Sequence, residues 1–267
     1  MSLSLVVDIG TNSARVGASQ SSVPEYQASL LGETGVWDST TVDFDQFYLT
    51  MSQSNLLPQA KSVLVVESAV ELDSYLFKSK LCEMVFESHP SVQHLAFQFA
   101  PVLTSFASAR QSALVLDMSA GGCTATAVVD GWMLRSNRAR SDFGYVQLDA
   151  HLHDKANAAA LANYQELRQF QQEREYTLPD STKVQQCLFE CDGGDSIPLP
   201  ELILLAATRN NIGNETRKQL LYNITPCGGL FLHDIIAPRL LTELRQLFVG
   251  DASRNCACLG KSIANRD

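Results

Sequence analysis

One arrangement occurs twice in this chain and constrains its fold more than any other feature. An apolar β-type run ends in aspartate, a polar tip of small residues follows, and a second extended run comes after it. The first copy is Leu3 to Val7, then Asp8-Ile9-Gly10-Thr11-Asn12-Ser13, then Ala14 to Ala18. The second is Ala113 to Leu116, then Asp117 with the tip Met118-Ser119-Ala120-Gly121-Gly122, then Thr124 to Val129. Each copy predicts a hairpin, and the pair predicts a degenerate duplication with two tips facing each other.

Helix-type and strand-type patterns alternate between and after the copies. Phe44, Phe47, Tyr48 and Met51 fall at helical spacing within 41–57, and Pro58 ends that run before the strand-like Ser62 to Val66. Leu72, Leu76, Leu81, Met84 and Val85 predict a second helix, followed by a strand over Val92 to Phe97 and a helix from Pro101 to about Arg110. After the second hairpin, Tyr145 to Glu175 predicts a helix-rich stretch whose Gln165, Arg168, Gln169, Gln172 and Glu173 form a solvated face. Val184 to Cys191 reads as a strand, and two helices run to Tyr222. From Ile224 a strand leads through Cys227-Gly228-Gly229 into an amphipathic helix with Ile235, Ile236, Leu240, Leu241 and Leu244 on its apolar stripe. The class is α/β.

Composition narrows the functions available. With 45% hydrophobic and 18% charged residues in 267, the chain has enough apolar side chain to offset its conformational entropy. Its longest apolar runs fall far short of the roughly 20 residues of a spanning helix, so no membrane insertion is expected. Met1 to Ser4 carries no basic segment, and no secretory signal is expected. The formal net charge of −9 speaks against a duplex-binding face, and no direct nucleic-acid partner is expected. Seven cysteines are an odd count and read as reduced thiols. The spacings Cys187/Cys191 and Cys256/Cys258, with His151 and His153 far away in sequence, make no metal signature.

The glycine-containing loops have the chemistry of phosphate recognition. Small residues let backbone N–H groups converge on an anion, and a carboxylate at a strand end can hold a hydrated divalent cation. The order Asp8-x-Gly10-Thr11, then Asp117 with Gly121-Gly122, then Gly228-Gly229 before a helix, resembles the two phosphate loops and the adenosine loop of the actin and Hsp-type ATPase superfamily. Within it the likeness is to actin and the actin-related proteins. Ser62 to Ser68, Met84 to Glu87, Pro101 to Arg110, Asp117 to Trp132, Tyr176 to Asp180 and Gly228 to Arg239 resemble actin segments taken in order.

The resemblance implies an actin-like α/β fold of two ribonuclease-H-like halves around a cleft. The halves would be residues 1–118 and 119–250, with 251–267 returning toward the first. It also implies a site for ATP or ADP with Mg. Asp8, Gly10, Thr11, Asn12 and Arg15 would form its first loop, Asp117, Gly121 and Gly122 its second, and Gly228 and Gly229 its third. Asp8 and Asp117 would hold the metal through water. The same residues also suit an empty site, since Gly supplies positive φ and Asp satisfies turn amides.

Departures from the family pattern are as informative as the matches. Between Pro24 and Gly35 only a few residues stand where actins carry the small subdomain that grips the next protomer, so that subdomain is expected to be missing. The other small subdomain, over Arg135 to Glu175, is expected to be reduced. Arg15 stands where actins use a phosphate-binding lysine, Ala120 where they place a second acid, Ala100 where a glutamine orients the attacking water, and Thr124 where a histidine lies nearby. Gln98 is two residues from Ala100. Positioning is most of phosphoryl-transfer catalysis, so hydrolysis is not expected.

These features imply a non-catalytic actin-related subunit of a larger protein assembly, with actin or another actin-related protein as a partner. The setting is cytoplasmic and cytoskeletal, at a filament end or in a dynactin-like complex. A nuclear chromatin-remodelling complex and an active ATP-dependent switch are the alternatives. The first loop alone also resembles that of exopolyphosphatase-type enzymes. Trp37 and Trp132 read as core or cleft-edge packing, His233 as a helix-start histidine, and Asp192 to Asp195 as a surface turn.

Overall fold

The computed structural model describes residues 3–9, 13–29, 54–67, 75–119, 122–141, 186–190, 197–232 and 236–247. The chain forms two compact units, Met1–Ala100 and Pro101–Asp267.

In the first unit, β1 (Leu3–Ile9), β2 (Ser13–Ala18), β3 (Tyr26–Ser29), β4 (Ala60–Glu67) and β5 (His94–Phe99) form one sheet in the order β3-β2-β1-β4-β5. β1 to β3 run antiparallel, while β4 and β5 join parallel. Alternation along β1 sends Leu5 and Val7 into the core and leaves Asp8 on the opposite face. The core joins them to Val16, Val63 and Val65 from the sheet and to Leu81 and Val85 from α1 (Tyr75–Ser88). Burial of each such side chain contributes about 1.5–3 kcal/mol.

In the second unit, α2 (Ala100–Ala107, whose first residue still belongs to the first unit) precedes β6 (Ala113–Ser119), β7 (Gly122–Val129) and β8 (Trp132–Ser141). α3 (Leu199–Thr208), α4 (Asn214–Tyr222), β9 (Ile224–Cys227) and α5 (Ile236–Leu247) follow. The sheet order is β8-β7-β6-β9, with β6 to β8 antiparallel and β9 parallel to β6. Leu114, Leu116 and Met118 meet Leu202 and Ile203 of α3, Leu220 of α4, and Leu240 and Leu244 of α5 in one core.

Both sheets thus place their first four strands in the order third, second, first, fourth, with the fourth parallel to the first. That is the duplication that the two Asp-tipped hairpins predict, and it is a ribonuclease-H-like strand order in an α/β chain.

Several local expectations change. A first half ending at residue 118 takes in most of β6, which is paired on both sides within the second sheet; the units meet instead at residue 100. Gln186–Glu190 forms a π-helical turn instead of a strand, and its adjacent Leu188 and Phe189 are both buried in the second core. Neighbouring residues on a strand point to opposite faces, so two consecutive core residues favour the helical turn. A 3-10 turn, Gly229–Leu232, stands between β9 and α5. Trp132 does not pack but is 77% exposed. The expected helices over 41–57 and 145–175, the C-terminal segment 251–267, Trp37, Ala120, His151, His153, His233 and Asp192 to Asp195 lie wholly or mainly outside the described residues.

Candidate functional site

Asp8 is the last residue of β1 paired on both sides. It lies opposite Arg15 of β2 and opposite Val66 of β4; Arg15 in turn faces Gln27, and Val66 faces Gln98. Directly opposed residues share a face. Gln27, Arg15, Asp8, Val66 and Gln98 therefore form one row on the side of the sheet away from Leu5 and Val7.

Within that row the Arg15 guanidinium Nη1 lies 3.6 Å from Asp8 Oδ2, with the two side chains 52% and 42% exposed. Partial burial pushes the Asp8 carboxyl above its ordinary value near 3.8, and the positive charge of Arg15 pulls against that rise. A pair this exposed contributes roughly 0–1 kcal/mol. Among the described residues no group of three or more His, Cys, Asp or Glu side chains comes together to hold a metal ion.

Gln98 is strand-borne, two strands from Asp8 and so about 9–10 Å across the sheet. Its side-chain oxygen accepts a hydrogen bond from the backbone N–H of Phe99 at 2.9 Å. Ala100 opens α2 and brings no polar side chain.

Glu67 ends β4 on the core face and is 1% exposed. Lys78 of α1 places its ammonium 2.8 Å from the Glu67 carboxylate and 5.5 and 5.7 Å from the ring centroids of Phe97 and Phe99. A buried charge needs such a partner. Sequence reasoning passed over this pair; the available signal was a carboxylate directly after the apolar run Val63 to Val66.

In the second unit Asp117 lies opposite Thr124 and Cys227, and Thr124 lies opposite Arg140. Where Asp8 has an arginine on the adjacent strand, Asp117 has a threonine, with the arginine one strand further out. Beyond Cys227 the backbone turns at Gly228 with φ +92°. A methyl group built there would fall 2.7 Å from Asp117 Oδ1 and overlap the Met118 carbonyl oxygen. Only glycine fits, so the third predicted loop crosses directly beside the carboxylate of the second. Gly229 has open space around its Cα. Gly122 starts β7 at φ 142°, and its carbonyl accepts a hydrogen bond from the Ser119 hydroxyl at 3.2 Å. Gly10, Thr11, Asn12 and Gly121 lie outside the described residues.

A third feature is a surface. The β7–β8 turn uses Asp130 and Gly131, both at positive φ, and its backbone is tied down from the segment before β6. The Asp130 N–H donates to the Ser112 hydroxyl at 2.9 Å and the Gly131 N–H to the Gln111 carbonyl at 2.7 Å. Phe106 of α2 packs against Gly131 yet is 51% exposed, and Trp132 follows at 77%. Two large aromatic rings thus stand in solvent on a rigid support.

These features define a class, a duplicated α/β scaffold whose Asp-tipped hairpins differ from one another. The Actin family model matches residues 36–162, spanning β4 to β8 with the Asp117 hairpin and the Asp130-Gly131 turn. Two sheets of matching strand order are consistent with a reduced actin-like fold, and over the matched residues the chain is similar to the actin family. No curated protein matches it.

Proposed function

We propose that the chain is a non-catalytic actin-like interaction subunit of a larger protein assembly, in a cytoskeletal setting such as a filament end or a dynactin-like complex. The observation that carries this reading is the exposed pair Phe106, on α2, and Trp132, beside the tied-down β7–β8 turn. Aromatic side chains held rigidly in solvent are the side chains that dominate protein interfaces once covered. Loss of turnover is supported by the Asp8–Arg15 pair and by the side-chain oxygen of Gln98, which is committed to its neighbour's backbone. The partner under this reading is actin or another actin-related protein, and ATP or ADP, where bound, serves as a structural ligand.

The experiment is steady-state phosphate release with ATP, run beside affinity purification from native cells. The reading expects no turnover above the buffer rate and a stoichiometric actin-like partner in the eluate. Recovery with chromatin-remodelling subunits would move the setting to the nucleus.

A second reading, an ATP-binding switch, is favoured by one observation. Gly228 brings the third loop against Asp117 at the carboxyl ends of the parallel strands β6 and β9, the end of an α/β sheet where ligands gather. ATP turnover that disappears in Asp117→Ala would establish it.

A further inference from the structure

We propose that the corner formed by Arg209 and Asn210 is an intramolecular guard on the outer edge of the second sheet, which keeps β8 from pairing with the same strand of a second copy of this chain.

Among the described residues β8 pairs only with β7 and stands at the end of its sheet. It is ten residues long, the longest described strand, and an outer strand of that length is a template for another strand unless something blunts it. Its pairing with β7 is interrupted in the middle. Arg138 lies opposite Thr126 and Met133 lies opposite Val128, so residues 134–137 of β8 stand against Ala127 alone. A bulge of this kind leaves backbone groups that the neighbouring strand cannot take up, and those groups need partners from elsewhere.

The end of α3 supplies them. α3 stops at Thr208, and the 3-10 turn Arg209–Asn211 follows. The Arg209 guanidinium donates to the Arg138 carbonyl, and the Asn210 amide donates to the Ser136 carbonyl at 2.6 Å. Both bonds lie at the exposed rim of the sheet. Asn210 sits at φ +56°, a left-handed conformation that asparagine tolerates better than most residues. Asn137, 2% exposed, returns the contact by donating its own amide to the Arg209 carbonyl and, at 3.3 Å, to the Ala206 carbonyl. Those carbonyls belong to the end of a helix, where the backbone leaves acceptors to be satisfied.

A strand added along 136–138 would have to displace two side chains, one of them charged, from the carbonyls that it needs for its own ladder. A second device acts with the first. β8 carries Arg135, Arg138 and Arg140, so two β8 strands laid antiparallel would bring like charges together. Salt screens that repulsion but leaves the corner in place, which lets the two devices be separated. Assembly with a second copy is thereby kept off this edge.

The test compares the full chain with Arg209→Ala/Asn210→Gly and with Asn137→Ala, by sedimentation velocity over a concentration series in about 0.5 M NaCl, where the screening length is roughly 4 Å. Glycine at 210 keeps the left-handed backbone, so the double variant removes the two donors and little else. Asn137→Ala removes the bonds that run the other way and leaves both donors, so it reports what lost stability does alone. Arg209→Ala/Asn210→Gly should self-associate at least tenfold more tightly than wild type, with amide hydrogen exchange slowed over 134–140 in the associated form. Asn137→Ala should melt at a lower temperature and associate no more than wild type does. No gain in the double variant, a gain without protection of 134–140, or equal association of the two variants would overturn the proposal. Where the double variant loses its cooperative melt, Asn210→Gly alone takes its place. A threefold gain is then expected, and no gain overturns the proposal.

Discussion

The backbone at Gly228 passes so close to Asp117 that a single added methyl group would stand 2.7 Å from the carboxylate oxygen. This joins the end of β6 to the turn after β9, two segments more than a hundred residues apart, and makes one glycine indispensable while its neighbour is not. Gly228→Ala meets the Met118 backbone and an unfavourable φ together, and should cost about 2–3 kcal/mol in urea unfolding. Gly229→Ala should stay within about 0.5 kcal/mol of wild type. Equal effects of the two would mean that the close approach is not maintained.

Glu67 and Lys78 make a sharper stability prediction. Lys78→Met removes the ammonium and leaves a buried carboxylate, so it should destabilise by about 3 kcal/mol. Combining it with Glu67→Gln removes the stranded charge and should recover more than half of that loss. A strictly additive double variant would show that the two groups are not coupled.

Asp8 and His89 give opposite pH dependences. Asp8 is raised above its ordinary value by burial, so the folded state binds its proton more readily than the unfolded state does. Stability therefore falls as pH rises from about 3.8 through the raised value, and ionised Asp8 costs stability at neutral pH. Asp8→Asn should unfold at higher urea than wild type at pH 7 and lose that advantage near pH 3. A lower midpoint at pH 7 would contradict this.

His89 follows α1, and desolvation lowers its ring below the ordinary value of 6.5. Its contribution is complete above that value and declines as pH falls below it, because the unfolded chain takes up the proton first. His89→Gln should flatten the stability profile between pH 6.5 and the lowered value. An unchanged slope there would assign the acid sensitivity to another group.

The parts legible in the sequence were those in which one face of an element is apolar. Leu5 and Val7, and Leu114 and Leu116, alternate into a core, so both hairpins could be read before any pairing was known. β3 and β8 could not be read in this way, since edge strands with one open side need no apolar alternation, and β8 carries Arg135, Arg138 and Arg140. The Asp130-Gly131 turn was the missed signal for β8. Asp8 and Arg15 both stand out in the sequence, but their ion pair depends on strand register, which periodicity does not supply. The approach of Gly228 to Asp117 likewise depends on the parallel pairing of β9 with β6. Trp132 was read as packed because large aromatics usually are, and its exposure is what draws attention to the surface beside Phe106.

The most direct measurement of the central claim is side-by-side affinity purification of the native protein and its Trp132→Ala variant, with partner stoichiometry read by mass spectrometry and nucleotide extracted from each eluate. Trp132 contributes little to folding at its exposure, so the variant should melt as wild type does. A stoichiometric actin-like partner is expected with wild type, and at least a tenfold smaller yield of it with the variant. Recovery of both proteins alone, loaded with ATP or ADP, would contradict it and leave an autonomous nucleotide switch.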